Sequence, residues 1–161
     1  MEFWDAYNEK SEKIEGIKLV RGEDIPEGYF HIVCDVAVQH IDGTYLLMQR
    51  SSNKTHPNKW ELSAGGSLLS GEEPIQGAYR ELYEETGIRP DNIMEIGVFI
   101  SYQRKTIYYE YLTIIDIDKD SIVLQEGETQ AYRWIDKKAL MSMSKEELVT
   151  KRIIDFILDL R

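Results

Sequence analysis

The alternation of apolar and polar positions divides the chain into strands, one central helix and a closing helix. From 31 to 38 the apolar residues Ile32, Val33, Val36 and Val38 predict a well-buried strand. Asp42-Gly43 is a hairpin signal and leads into a second strand over 45–48, Tyr45-Leu46-Leu47-Met48. A polar loop over 51–59 contains Pro57, and a short segment over 60–64 then runs into Gly65-Gly66. Over 74–86 the period becomes helical: Ile75, Ala78, Tyr79 and Leu82 fall at i, i+3, i+4 and i+7 and predict one buried stripe. Pro74 suits the first helical position and Gly87 the residue just past the end. Strands over 94–102, 106–117 and 132–135 follow, and a last helix over 145–160 carries Val149, Ile153, Phe156, Ile157 and Leu160 at helical spacing. Strands on both sides of a central helix predict an α/β fold, a mixed sheet between helical layers.

The first thirty residues read as an N-terminal extension, with a β-hairpin over 14–20 around Gly16 and a polar, turn-rich stretch over 21–28. Residues 31–161 form the main domain, a size that one hydrophobic core can support. Charge narrows the partners. The chain has 19 Lys+Arg against 29 Asp+Glu, a net charge of −10. So acidic a surface repels a phosphate backbone, which disfavours a nucleic-acid polymer or an anionic membrane as partner. A small phosphorylated ligand stays open, because local cations or a divalent metal can reverse the field inside one cleft. A single cysteine, Cys34, excludes an intrachain disulfide and a multi-cysteine zinc site. The start of the chain lacks a basic stretch followed by an apolar run, and no apolar run approaches a membrane span, so a cytoplasmic protein is expected.

One segment carries the chemistry. Gly66-Ser67-Leu68-Leu69-Ser70-Gly71-Glu72 is followed, after seven residues, by Arg80-Glu81-Leu82-Tyr83-Glu84-Glu85-Thr86-Gly87-Ile88. On a helix Glu81, Glu84 and Glu85 share one face, roughly 120° from the apolar stripe. Carboxylates this close repel one another unless compensated, and a hard cation such as Mg²⁺ or Mn²⁺ is the natural compensation. Arg80 lies one turn before Glu84 and can brace that carboxylate or reach back to Glu72. The bland alternative is a solvated acidic helix end.

These residues resemble the Nudix box: a Gly, five residues, Glu, seven residues, Arg-Glu, an apolar residue, any residue, Glu-Glu, any residue, Gly and an apolar residue. Gly66 to Ile88 fills every specified position. A chance match at ordinary residue frequencies is on the order of one in a million. The resemblance implies an α/β/α sandwich and a hydrolase that cuts the P–O–P bridge of a nucleoside diphosphate-linked or related small diphosphate with water. It also implies that Glu81, Glu84, Glu85 and the carbonyl of Gly65 hold Mg²⁺ or Mn²⁺. Glu72 and Arg80, with Gly66 and Gly87, then take structural roles in the box. The general base is either Glu81 or Glu85, acting through metal-bound water, or an acid from a later loop, as family members often recruit; Glu126 and Glu128 are the loop candidates here, Glu128 foremost. Homodimers are frequent in the family, so a homodimer is a further expectation.

Trp4-Asp5-Ala6-Tyr7, the 21–26 stretch and His31 resemble the branch related to isopentenyl diphosphate isomerase. That enzyme places its essential thiol in a Cys-Gly-His run, where this chain reads Ala64-Gly65-Gly66. Cys34 is no replacement, since it lies three residues from His31 on a strand and points to the opposite face. Hydrolysis is therefore favoured over an isomerase-like activity and over a non-catalytic nucleotide-binding module. Arg50, Lys54 and Lys59 flank the loop before Trp60; Arg50 and Lys59 are candidate substrate-binding cations. Tyr102, Tyr108, Tyr109 and Tyr111 either stack on a nucleobase or pack on their strands. Glu110, a charge between aromatics in mid-strand, faces either the cleft or a solvated sheet face.

Overall fold

A computed structural model describes residues 1–160. The central strand is β3 (His31–His40), preceded by β1 (Phe3–Tyr7) and β2 (Lys13–Val20). After β3 come β4 (Tyr45–Arg50), β5 (Trp60–Leu62), β6 (Ala64–Ser67) and the helix α1 (Pro74–Thr86). Then follow β7 (Met94–Ser101), β8 (Thr106–Ile115), β9 (Thr129–Ile135) and two short helices, α2 (Lys137–Met141) and α3 (Arg152–Asp159). The main sheet is mixed. β3 runs parallel to β8 from His31↔Thr106 to His40↔Ile115 and antiparallel to β6, while β4 pairs with β5 and β9.

The period-2 alternation sorts side chains to the two faces. Cys34, Val36, Leu46 and Met48 pack on one face with Ala78 and Leu82 of α1. Ala37, Tyr45 and Leu47 pack on the other with Leu140 of α2 and Ile153 and Ile157 of α3. The sheet is therefore covered on both sides, giving the expected three-layer sandwich.

Several elements differ from the sequence pattern for identifiable reasons. Gly16 does not turn a hairpin. It sits inside β2 at φ 78°, where a shift of register lets β2 bulge against β1, and the hairpin is formed by β1 with β2. The last helix begins only at Arg152, because the preceding segment pairs with β5: Trp60 N–H donates to Glu147 O at 2.8 Å and Val149 N–H to Trp60 O at 3.0 Å. The stripe of α1 is rotated from the one expected. Ile75 is exposed, and the buried line runs through Gly77, Ala78, Leu82, Glu85 and Thr86. Gly77 causes this close approach: a Cβ there would lie 2.6 Å from the Leu68 side chain.

Candidate active site

The turn that precedes α1 is built around a fork. Arg80 Nε donates to Glu72 Oε1 at 2.6 Å and Nη2 to Oε2 at 2.9 Å, while Nη2 also reaches Ser67 O at 3.1 Å. Glu72 Oε2 accepts from Leu69 N–H at 2.9 Å. Burial alone would raise the Glu72 pKa, but the Arg80 and Leu69 donors outweigh it and hold the carboxylate ionised. At the far end, Gly87 adopts φ 76° and its N–H closes the helix on Tyr83 O at 2.8 Å.

Helix α1 delivers its acids to one cleft of about 340 Å³, which Gly65, Gly66, Glu81, Glu84, Glu85, Arg80 and Glu128 line together. Glu84 is exposed, Glu81 half-buried and Glu85 only 8% exposed. Burial, then the charges of Glu61 and Glu81, push Glu85 well above the usual carboxylate range, offset by the Gly65 N–H and more distant Lys54. Glu81 is raised by burial as well, although Arg80 Nη1 stands 2.6 Å from its Oε1 and counters part of the effect. The same Nη1 lies 3.4 Å from Glu84 Oε2, so Glu81 and Glu84 are drawn to Arg80 and not to one another. No group of three His, Cys, Asp or Glu side chains among the described residues is already gathered as an ion cage.

The donor set nevertheless fits a hard divalent cation. It is all oxygen, and Glu85 has no ion-pair partner of its own among the described residues. Gly66 also leaves a cradle, since a Cβ there would fall 2.4 Å from the Glu81 carboxyl group. The antiparallel pairing of β6 on β3, Cys34↔Gly66 and Asp35↔Gly65, holds this glycine pair against the helix.

The remaining candidates separate. Glu128 lines the cleft and its carboxylate meets Lys54 Nζ, tying the 51–59 loop to the turn before β9, whereas Glu126 is exposed and lines none of it. Arg50 lines the cleft too, but its guanidinium is engaged: Nη1 donates to Glu61 Oε1 at 2.7 Å and Nε to Thr55 O at 2.6 Å. Lys59 points elsewhere, its Nζ donating to Lys145 O at 3.3 Å. Tyr108 borders an adjoining cavity under the Arg152 guanidinium, 3.5 Å above its ring, and Tyr111 is packed in the core.

Glu110 lines neither the carboxylate cleft nor a solvated surface. It is fully buried, its Oε1 accepts from Arg152 Nε, and its Oε2 has no partner. Arg152 Nη2 also donates to Asp35 Oδ2 at 2.6 Å. Sequence reading passed over Asp35, Arg152 and Glu61. The available signal was a lone charge inside an apolar segment, Asp35 between Cys34 and Val36 and Glu61 between Trp60 and Leu62.

Comparison with known proteins agrees with this architecture. A family model described as the NUDIX domain matches residues 30–157. An uncharacterized Nudix hydrolase of Listeria monocytogenes is 34% identical over 145 residues, 89% of this chain and 85% of that protein. An isopentenyl-diphosphate Delta-isomerase of Corynebacterium diphtheriae is 26% identical over 121 residues, 69% of this chain and 66% of that protein. A crystal structure from Deinococcus radiodurans superposes with a TM-score of 0.79 at 20% identity, covering 99% of this chain and 100% of the other. With the family model spanning residues 30–157 and the Listeria monocytogenes relative covered over most of its length, this chain belongs to the Nudix hydrolases.

Proposed function

We propose that this hydrolase cuts the P–O–P bridge of a small, diphosphate-bearing molecule in the cleft of α1, with Mg²⁺ or Mn²⁺ held by Glu81, Glu84, Glu85 and the carbonyl of Gly65. The observation that carries this reading is Glu85, buried beside Glu61 and Glu81 with no ion pair of its own. When bound, the cation would neutralise the diphosphate and make water a stronger nucleophile. The chain's own residues supply the rest. Arg80, locked to Glu72 and Ser67 O, fixes the height of the helix against the glycine pair. Glu128 at the rim takes the proton of the attacking water, and Lys54 orients its carboxylate. Arg50 keeps the 51–59 loop in place through Thr55 and presents Glu61 to the cleft.

The structure speaks against isomerisation. By the motif resemblance Ala64 stands where the isomerase carries its thiol, and the chain's one cysteine lies under α1 with Sγ donating to Pro74 O at 3.2 Å. Burial, then neighbouring acids, push the Cys34 pKa up, so the thiol stays protonated and closed off from the cleft.

The test is product analysis across nucleoside and non-nucleoside diphosphates with Mg²⁺ or Mn²⁺, isopentenyl diphosphate included. Monophosphate products that disappear with a chelator support the reading. Formation of dimethylallyl diphosphate, or turnover that a chelator leaves intact, contradicts it.

A further inference from the structure

Two residues that flank the N-terminal hairpin, Glu2 before β1 and Arg21 after β2, line the cleft together with the acids of α1. The hairpin's seat is specific. Asp5, only 3% exposed, accepts from Gly71 N–H at 2.8 Å and Ser70 Oγ at 3.0 Å, both in the turn that leads into α1. Trp4 stacks on His31 at the start of β3, ring centroids 4.2 Å apart, and Tyr7 and Phe30 exchange backbone hydrogen bonds of 2.9 Å. With three such anchors, the end of β2 is held in one place beside the cleft.

The cations that line the cleft are Arg21, Arg50, Lys54 and Arg80. Arg80 is consumed by Glu72, Glu81 and Ser67 O, Arg50 by Glu61 and Thr55, and Lys54 by Glu128. Arg21 differs. Its side chain is 58% exposed, and its only side-chain partner among the described residues is Glu2, at 3.1 and 3.2 Å. Glu2 is itself steadied by Trp4 Nε1, which donates to its Oε1 at 3.0 Å. An exposed pair of this kind is weak, so a doubly charged phosphate oxygen set competes for the guanidinium on favourable terms.

We infer that Arg21 is a substrate-binding residue, which leaves Glu2 to grip a phosphate of the substrate from its place just past β2 on the lining of the cleft. This rests on the hydrolase reading above and adds to it that the extension completes the site. The substrate class it selects is one with an anionic phosphate left outside the carboxylate cluster, so that Arg21 takes one phosphate and the carboxylates would act on the other through the divalent cation they hold.

The test is equilibrium binding of inorganic pyrophosphate in the presence of Ca²⁺, measured by calorimetry on the full chain and independent of turnover. Arg21→Gln is expected to weaken binding about tenfold, the effect of one lost charge-assisted hydrogen bond. Arg21→Lys should lose less, and Glu2→Gln should tighten binding two- to threefold by removing the competitor. A purely structural pair would give a different pattern, with Glu2→Gln weakening binding as Arg21→Gln does. That pattern, an Arg21→Gln constant within twofold of wild type, or no pyrophosphate binding by the wild type overturns the inference. Loss of binding in Arg21→Gln in a protein that hydrolyses no diphosphate would instead uphold Arg21 and refute the hydrolase reading.

Discussion

Arg80 grips Glu72 with two parallel hydrogen bonds of 2.6 and 2.9 Å, and its third nitrogen lies 2.6 Å from Glu81. One guanidinium thus joins the turn before the helix to the acid that faces the cleft. A planar fork is needed for this, and Lys cannot reproduce it. Arg80→Lys should therefore lower kcat about a hundredfold through misplacement of Glu81, since shifts of about 1 Å are enough for such losses. Steady-state kinetics read beside thermal melts will separate this from unfolding, because the melting temperature should fall by only a few degrees.

The glycine pair sets a second constraint. A Cβ at Gly66 would stand 2.4 Å from the Glu81 carboxyl carbon, and one at Gly65 would stand 2.2 Å from Asp35 Oδ1. Gly66→Ala should thus cost activity by displacing Glu81, with overpacking of about 1–3 kcal/mol in stability. Gly71 has φ 87° and open space around it, so Gly71→Ala should cost stability by backbone strain and leave activity largely intact. Turnover and denaturant midpoints of the two variants check the contrast.

Removing Arg152 would strand two acids. Its guanidinium joins Asp35 to the fully buried Glu110, so above pH 8, where Glu110 ionises, Arg152→Ala should destabilise by about 3–5 kcal/mol, the usual result of leaving a buried charge uncompensated. Adding Glu110→Gln to it should restore part of the loss. A double variant no more stable than Arg152→Ala alone would contradict the triad.

One buried and one half-buried group make stability depend on pH, with opposite signs. Burial, then the charge of Asp35, pushes Glu110 up to about 8. The folded chain holds that proton more tightly than the unfolded one, so this contribution is full below the ordinary glutamate range and is lost as pH rises towards 8. Burial, then Arg21, lowers His31 to about 4, and its Nδ1 has no partner. That contribution is present above the ordinary histidine range and is lost as pH falls towards 4. Between about pH 7.5 and 8, where His31 is essentially neutral in both states, melting temperature should fall in the wild type and fall less in Glu110→Gln.

Much of this was legible in the chain, for local reasons. Pro74 and Gly87 bound the central helix as expected, because first-turn and C-cap chemistry is decided by the residues themselves. The box residues are likewise spaced along one helix and its turn. Non-local pairing was not legible. Asp35 and Glu110 become neighbours only through the parallel register of β3 and β8, and Arg152 joins them from the start of α3. Phe3–Tyr7 is too short to announce itself as a strand, and it becomes one by pairing with β2, whose register shifts around Gly16. Periodicity alone places Ile75 on the buried face, but Gly77 draws the helix in along a neighbouring line.

The central claim is that water attacks a P–O–P bridge in a cleft whose acids are Glu81, Glu84 and Glu85. Hydrolysis of the best substrate in ¹⁸O-labelled water with Mg²⁺, followed by phosphorus NMR, tests it most directly when wild type and Glu85→Gln are run together. The account predicts one labelled oxygen on a phosphate product of the wild type and a rate about 10²–10³-fold lower in a folded Glu85→Gln. Unlabelled products, or a Glu85→Gln protein that turns over at the wild-type rate, would contradict it.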